Sequence, residues 1–399
     1  RFPQADALVD PLLGAGCGRG LCGAGVALKI VQGLWGLEAA EPLMELAALA
    51  TVADMVPLTG ENRFIVKRGL SKLHEAPCPG LRALLEQSGL GGKRVTAASL
   101  GFSLAPRLNA SGRLGQVDAA VRLLMTDDPR EAEHSAEMLC SLNRERQLLE
   151  QDIWTDAVKM LGDEKPDGPI VLAGESWHQG VIGIVASRLT EAYHVPAVMI
   201  CLDGEHGKGS CRSYGGFNLF EALSACAEHL DGFGGHALAA GLTISRESID
   251  AFRAALRDYY VLHPAQSEPA LDIDLCIDSP KLLEMRCVED LDRLEPCGSG
   301  NPGVTVCMLG AVLESITAIG GGRHTRLRLG KFGQDYDAVL FSHSPEELGL
   351  HPGDYVDAAF TPQINEFRSR RTVQLLMSDV RAHDFSAARA MLRGGTALR

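Results

Sequence analysis

The chain has 399 residues, of which 46% are hydrophobic and 22% charged, with a formal net charge of −13. This length predicts two or three domains, and the negative charge argues against non-specific nucleic-acid binding over the whole surface, because such binding depends on Lys and Arg. No apolar run is long enough to span a membrane, and the 11 cysteines include no C-x-x-C pair that would indicate a zinc site. These features are typical of a cytoplasmic protein with reduced thiols and no membrane attachment.

The first candidate for chemistry in chain order is Asp54, at the end of a helical pattern that begins near Leu43. It lies between Val52 and Val56, and a buried carboxylate is costly unless it is paired or bound to a metal. Asp54 is therefore a candidate metal ligand. A structural role at a helix–strand junction is an equally good interpretation on local grounds.

Residues 105–115, APRLNASGRLG, are predicted to form a loop with Arg107 and Arg113 on either side of Asn109. Arg side chains match phosphate oxygens with two parallel hydrogen bonds, so this loop could bind a phosphate. A loop held in place by bonds from Arg to the backbone is an equal alternative.

A long helix is predicted over Pro129–Leu161, because the segment from Arg130 onward contains no Gly or Pro and is rich in Glu, Ala and Leu. It is interpreted as a bridge between domains. Alternating strand and helix patterns then predict an α/β domain over residues 169–261. His178 precedes a helix in this domain and could contact a ligand, although most such histidines cap or pack.

Residues 208–241 contain KGSCRS, predicted to be a strand, and GFGGHALAAG. Alternate residues of a strand share a face, so Lys208, Ser210 and Arg212 should point the same way. Gly234, Gly235 and His236 are predicted to lead into a helix whose N-terminus would favour an anion. The combination suits a phosphate, and the alternative is an edge strand with solvated charges before a packed helix.

From residue 270 onward, short strands separated by turn residues predict a small β-barrel of the oligonucleotide-binding type. Residues 323–331 and 368–371 form two basic islands that would lie near one rim of this barrel. Phe367 beside Arg368 could stack on a base. Ordinary solvated surface charge is the simpler interpretation of either island alone.

Taken together, these motifs resemble the RecJ family of single-strand-specific DNA exonucleases, within the DHH phosphoesterase superfamily. The resemblance rests on CGAGVALKI, LAALATVADMVPL, APRLNASGRL, WHQGVIGIVASRL, KGSCRS, GFGGHALAAG, EPCGSGNPG and NEFRSRR, in this order. It implies an α/β fold with the remainder of a DHH catalytic domain (residues 1–128), a connecting helix (129–163), a DHH-associated substrate-binding domain (164–262), an oligonucleotide-binding barrel (263–385) and a tail (386–399).

The resemblance also implies a function: metal-dependent 5′-to-3′ hydrolysis of single-stranded DNA in repair and recombination, with Mn²⁺ or Mg²⁺ as cofactor. Single-stranded DNA is the implied substrate, a single-strand-binding protein and a helicase are further partners, and the protein is expected to be a monomer. Asp54 matches a metal ligand, and Asp54, Arg113 and His236 are the candidate catalytic residues. The candidate substrate-binding residues are Arg107, Asn109, Arg113, His178, Lys208, Ser210, Arg212, Gly234, Gly235, His236 and Arg368.

One departure from the family pattern concerns the metal ligands. The family's DxD strand, a further aspartate and the Asp-His-His motif do not precede Asp54, and no Asp-His-His occurs in the chain. The expectation is therefore an incomplete two-metal site, with the N-terminal portion of the catalytic domain missing and this chain inactive by itself. A non-catalytic single-strand-binding fragment, or a DHH phosphoesterase acting on short oligonucleotides, are the alternatives.

Overall fold

The computed structural model describes residue 4 and residues 6–13, 20–75, 78–162, 165–265, 270–367 and 370–385. The chain divides into two compact units. One consists of Arg1–Val26, Met55–Lys67 and Leu271–Arg399, and the other of Ala27–Asp54 and Arg68–Ala270. Within the described ranges, no helix is both long and apolar enough to cross a membrane.

The helices and strands are numbered in chain order. The helices are α1 (Gly23–Ala40), α2 (Met44–Ala53), α3 (Gly60–Glu75), α4 (Pro79–Gln87), α5 (Ala97–Ser99), α6 (Ala105–Arg113), α7 (Val117–Met125), α8 (Pro129–Leu161), α9 (Gln179–Tyr193), α10 (Leu219–Ala225), α11 (Ile249–Leu262), α12 (Met285–Leu291) and α13 (Pro345–Leu348). The strands are β1 (Ile170–Gly174), β2 (Ala197–Asp203), β3 (His206–Arg212), β4 (Gly232–Gly235), β5 (Ala239–Ser245), β6 (Leu275–Cys276), β7 (Val306–Ile319), β8 (His324–Lys331), β9 (Gln334–Leu340), β10 (Tyr355–Phe367) and β11 (Arg370–Ala382). A π-helical segment, Leu100–Leu104, leads directly into α6.

The long helix α8 has the predicted bounds, and its ends follow from local chemistry. Asp128 caps the N-terminus, where its side chain accepts a hydrogen bond from the Arg130 N–H at 2.9 Å, and Pro129 occupies the first turn. Gly162, with φ 72°, ends the helix. The N-terminal half of α8 packs in a helical core with α4, α6 and α7, and the C-terminal half packs against α9.

The α/β part of the same unit contains a sheet of strand order β1-β2-β3-β5-β4. The β1–β2 pair is parallel and the other pairs are antiparallel. Helix α9 covers one face, where Met199 is buried, and α11 covers the other through Phe252. The strand–helix alternation in the sequence predicts this α/β class, and the structure confirms it.

The other unit contains a closed five-stranded barrel. Its strands follow the order β7-β8-β9-β11-β10, and β10 pairs again with β7. Each strand contributes a fully buried side chain to the core: Met308, Leu329, Ala338, Phe360 and Leu375. Numbering the barrel strands one to five gives the circular order 1-2-3-5-4, which defines the predicted oligonucleotide-binding fold.

Two local predictions are wrong. Residues 105–113 form the helix α6, in which Ala105, Ala110 and Ser111 are buried, and not a loop. After a turn at residues 236–238 the chain forms β5 and not a helix, because Ala240, Leu242 and Ile244 alternate into the core. In both cases tertiary packing overrides a weak local preference. Asn and Gly disfavour the helix at residues 105–113 only mildly, and Ala disfavours the strand β5 only mildly.

Candidate phosphate-binding site

Strand β3 presents a polar face. Lys208, Ser210 and Arg212 alternate with Gly209 and Cys211, and Cys211 is fully buried on the opposite side of the sheet. Ser210 is only half-buried and Lys208 is exposed. The predicted common face of these three polar side chains is therefore confirmed.

The Arg212 side chain is held against the protein by short bonds. Its Nη1 donates to Ser210 Oγ at 3.1 Å and to the Cys211 carbonyl at 2.8 Å. A Cβ on Gly183 of α9 would lie 2.8 Å from Ser210 Oγ and 3.0 Å from Arg212 Nη2, so a larger residue there would displace these two side chains. Burial lowers the pKa of the Arg212 guanidinium because it removes hydration from the charge. A bound anion would compensate for that lost hydration.

Arg113, at the end of α6, meets the start of α9. Its Nη1 donates to the Gly180 carbonyl at 3.0 Å, and a Cβ on Gly180 would lie 2.2 Å from the Arg113 carbonyl oxygen. Desolvation lowers the pKa of the Arg113 guanidinium, and the positive charges of Arg146 and Arg212 lower it further, while Glu150 opposes them. The structure thus brings Arg113 and Arg212, 99 positions apart in the sequence, close enough for their charges to repel. That arrangement favours binding of an anion between them.

His178 is the N-cap of α9. Its Nδ1 accepts a hydrogen bond from the Gly180 N–H at 3.1 Å. In the neutral imidazole the proton therefore lies on Nε2, which can donate to a ligand. The capping role that the sequence left open is present, and it orients the ring at a helix N-terminus, where the dipole favours negative charge. We call Arg113, His178, Ser210 and Arg212 the phosphate site.

His236 lies in the turn between β4 and β5. Its N–H donates to the Ala239 carbonyl at 2.9 Å, and its Nδ1 accepts from the Leu238 N–H at 3.3 Å. Ala239 is the register partner of Arg212, so the exposed His236 is placed near the end of β3 that contains Arg212. Gly235 has φ 148°, and a Cβ there would lie 2.4 Å from the Ala239 carbonyl oxygen, which explains why this turn requires glycine.

The face of the sheet that contains Ser210 is accessible to solvent at the paired strands β4 and β5. Gly234 and Gly241 pair across β4 and β5, and Gly241 pairs with Ser210. Both glycines are exposed, so an extended chain could lie directly against the backbone next to Ser210 and Arg212.

Three other predicted site residues form no side-chain hydrogen bond or ion pair with the four residues of the phosphate site in the described part of the chain, or lie outside it. Arg107 donates from Nη1 to the Ser103 carbonyl at 2.6 Å and lines a separate cleft with α8. Asn109 is exposed on α6. Arg368 lies outside the residues that the structure describes.

Asp54 is exposed, which corrects the assumption that it is buried. It caps the C-terminus of α2, where its N–H donates to the Ala50 carbonyl at 2.9 Å. Among the described residues, no group of three or more His, Cys, Asp or Glu side chains could hold a metal ion. The described side chains therefore do not fit a two-metal site around Asp54, which would need several ligands.

The basic islands of the barrel are partly neutralised. Arg326 pairs with Asp337 at 3.5 Å, and Arg328 pairs with Asp335 at 3.0 Å. Arg371 forms an ion pair with Glu289 at 2.9 Å. These contacts support the simpler interpretation of surface charge for much of both islands.

Arg63 is a residue that sequence reasoning missed. Its guanidinium donates to the carbonyls of Leu294, Glu295 and Pro296, at 2.7, 3.1 and 3.0 Å. It thereby fixes the start of the EPCGSGNPG loop within its own unit. No local pattern around Arg63 indicates this contact, because the two segments are more than 230 positions apart.

The fold and the site define a protein that joins a DHH-associated α/β domain to an oligonucleotide-binding barrel. Family models match both parts: the DHHA1 domain over residues 167–261 and the RecJ OB domain over residues 273–379. The single-stranded-DNA-specific exonuclease RecJ of Bacillus subtilis is 36% identical over 95% of this chain and 49% of its own length. The RecJ of Dickeya dadantii is 34% identical over 94% of this chain and 70% of its own.

Crystal structures of RecJ from Thermus thermophilus, in complexes with Mg²⁺ and with Mn²⁺, superpose with TM-scores of 0.79 and 0.78 at 32% and 33% identity. Each match covers 91% of this chain, and 56% and 53% of the Thermus chain. The chain belongs to the RecJ family. It spans about half the length of its Bacillus and Thermus relatives.

Proposed function

We propose that the chain is the substrate-holding part of a RecJ-type exonuclease that degrades single-stranded DNA in the 5′-to-3′ direction. The observation that supports this most directly is that α9 brings two guanidiniums together: Arg113 donates to the Gly180 carbonyl at 3.0 Å, and Arg212 Nη2 lies against Gly183 one turn further along the helix. A DNA phosphate would supply the missing negative charge. The relatives at 31–37% identity are described as single-stranded-DNA-specific exonucleases, which supports the choice of substrate.

Each side chain of the phosphate site has a proposed role in holding the strand. Arg113 and Arg212 bind phosphate oxygens, Ser210 donates its hydroxyl hydrogen, and His178 donates from Nε2. In the intact exonuclease, the two guanidiniums together with His236 would also stabilise the charge that develops on the phosphate undergoing hydrolysis.

The remaining candidates have supporting roles. Lys208 adds positive charge further along β3, while Gly234 and Gly235 let the strand approach the backbone. Arg107, Asn109 and Arg368 are proposed as additional DNA contacts. The single-strand-binding protein, the helicase and the monomeric state remain predictions.

The proposed metal site involves other residues than the phosphate site. The Thermus relative binds Mg²⁺ and Mn²⁺, and a divalent metal is proposed as the cofactor of the intact exonuclease with Asp54 as one ligand. Because the described residues do not provide the other ligands, we propose that the 399-residue chain binds single-stranded DNA without hydrolysing it.

The test measures binding and hydrolysis on the same chain. Fluorescence anisotropy with a dye-labelled 20-nucleotide thymidine strand compares the wild type with Arg212→Gln. We expect about a tenfold loss of affinity, because a charge-assisted hydrogen bond contributes about 1.5–3 kcal/mol. The matched control is Arg257→Gln, which removes an exposed arginine of α11, on the opposite face of the same sheet, and should bind like the wild type.

Three outcomes would contradict the proposal. The wild type could fail to bind single strands, or the two Arg variants could lose affinity equally, which would exclude a role for the phosphate site. Release of nucleotides by the 399-residue chain in Mn²⁺ would contradict the proposed lack of hydrolysis.

The alternative of a phosphoesterase for short oligonucleotides is less well supported. A small substrate does not need the second binding surface that the closed barrel provides. The affinity for a 20-nucleotide strand, compared with that for a dinucleotide, distinguishes the two proposed functions. Only an enzyme for short substrates would bind the strand and the dinucleotide equally well.

A further inference from the structure

A cleft of about 380 Å³ lies apart from the phosphate site, between α8 and the segment that leads into α6. Phe102 and Arg107 line one side, and Arg144 and Arg146 line the other. Within the part of the chain that the structure describes, the lining contains three guanidinium groups and no carboxylate. On a chain with a net charge of −13, this local excess of positive charge favours an anionic ligand.

Arg107 contains a hydrogen-bond donor that lacks an acceptor. Its Nη1 donates to the Ser103 carbonyl at 2.6 Å, but among the described residues its buried Nε–H has no partner. A buried donor without an acceptor costs free energy, and a phosphate oxygen is an acceptor that would remove this cost.

The two arginines of α8 differ in how far they are already paired. Arg146 donates to Glu150 and to Asn143 Oδ1, both at 2.6 Å. Arg144 is exposed, and it forms no ion pair within the described ranges. Arg144 and Arg107 are therefore the two arginines available to a ligand.

The cleft also offers a surface for an aromatic ring. The Phe102 side chain is 87% exposed, so its ring is accessible to a ligand in the cleft. Gln87 and Gln147 line the same cleft with amides that can both donate and accept hydrogen bonds. A nucleotide site needs positive groups for the phosphate, an aromatic ring that stacks on the base, and polar groups that hydrogen-bond the edge of the base. The cleft contains all three in its guanidiniums, its phenylalanine ring and its amides.

We propose that this cleft, which we call the Arg107 cleft, binds one nucleotide of a single DNA strand, with the phosphate on Arg107 and Arg144 and the base on Phe102. The inference rests on the proposed function, because it extends the path of the same strand. Arg107 of the cleft and Arg113 of the phosphate site lie six residues apart on α6, which is about 9 Å along the helix axis at a rise of about 1.5 Å per residue. The strand would then be held at two places within one compact unit.

The test uses two dye-labelled 20-nucleotide strands, one of thymidine and one fully abasic. Phe102→Ala should weaken binding of the thymidine strand about fivefold or more, because stacking of one base contributes about 1–3 kcal/mol. It should leave the affinity for the abasic strand unchanged. Arg144→Gln should weaken both strands and reduce the slope of log K against log salt by about 1.

The matched controls come from the same helix. Leu148→Ala removes a side chain that is 68% exposed, outside the lining of the cleft. Arg130→Gln removes an exposed charge about 21 Å along α8 from Arg144, at a rise of about 1.5 Å per residue. Both should bind the two strands like the wild type.

Several results would overturn the inference. If Arg212→Gln weakens binding but Phe102→Ala and Arg144→Gln do not, the proposed function stands and the Arg107 cleft is not on the strand's path. If the wild type binds no strand at all, both the proposed function and the inference fail. If Phe102→Ala and Arg144→Gln weaken binding of thymidine monophosphate but leave the affinity for both strands unchanged, the cleft is a site for a free nucleotide and the assignment to the strand is wrong.

Discussion

At the scale of single residues, two glycines of α9 lie where the side chains of the phosphate site come closest to this helix. Gly180 allows the helix to meet the backbone of Arg113, and Gly183 allows Ser210 and Arg212 to approach the same helix. The two contacts differ in kind. At Gly180 the neighbour is a carbonyl oxygen of the backbone, which cannot rotate away, whereas at Gly183 the neighbours are side-chain atoms.

Gly180→Ala should therefore destabilise the protein by about 1–3 kcal/mol, because the added methyl overlaps the Arg113 carbonyl and forces the two helices apart. Affinity for single-stranded DNA should fall as well, since Arg113 would lose its position. Urea unfolding and fluorescence anisotropy measure the two effects.

The matched control for this prediction is Gly112→Ala. Gly112 lies one residue from Arg113 in α6, and a Cβ there would meet no atom within 4 Å. This change should stabilise the protein by about 0.5–1 kcal/mol, because Ala is favoured over Gly in helices. If the two substitutions changed the free energy of unfolding equally, the close approach of Gly180 to Arg113 would not be the cause of the destabilisation.

At the scale of elements, α8 supports both the phosphate site and the Arg107 cleft. Its N-terminal half buries Ala132, Ala136 and Leu139 in the helical core, and its C-terminal half buries Ile153 and Ala157 beside α9. A single rigid helix thus positions α6 relative to α9. All of α8 lies inside one compact unit, and its role as a bridge between domains stays a prediction.

Leu139→Ala tests the contribution of this element. Leu139 is fully buried, so we expect a loss of about 2–5 kcal/mol in the free energy of unfolding from lost burial and the cavity left behind. Leu148→Ala, at the exposed position on the same helix, should change it by less than about 0.5 kcal/mol. Urea unfolding distinguishes these values, and a small effect of Leu139→Ala would mean that α8 contributes little to the core.

At the scale of the whole molecule, the described apolar surface is unevenly distributed. Leu34, Trp35 and Leu37 of α1 are 66%, 66% and 74% exposed. A helix with exposed large side chains buries less of its apolar surface and unfolds locally at lower cost. The barrel strands, by contrast, each have a fully buried core residue.

We therefore expect limited proteolysis to cut within residues 1–126 before it cuts the barrel. Chymotrypsin followed by mass spectrometry of the fragments would locate the first cleavage, and Trp35 offers it an exposed aromatic side chain. First cleavage between Val306 and Ala382 would contradict this order of stability.

Much of the architecture was accessible from local patterns. The bounds of α8 follow from Asp128, Pro129 and Gly162 together with a segment that lacks other helix breakers. The common face of Ser210 and Arg212 follows from the two-residue period of a strand. Such features depend on a few neighbouring residues, and this is why the sequence is sufficient to predict them.

The local interpretation failed where burial decides between two conformations. APRLNASGR is a helix because Ala105 and Ala110 pack in the core, despite the Asn and Gly that suggest a loop. ALAAGLTIS contains a strand because Leu242 and Ile244 enter the core of the sheet. Asp54 is exposed, although its apolar neighbours in the sequence suggested burial.

By itself, the sequence determined the family, the α/β class, the long helix and the barrel, because these rest on motifs and periodicities that are contiguous in the chain. Only the tertiary structure decided which charges meet. It brings Arg113 to Arg212 through two glycines of α9, and it places Arg107 with Arg144 in a separate cleft. The reason is physical: electrostatic and steric effects depend on distances of a few ångströms between segments whose separation along the chain says nothing about their separation in space.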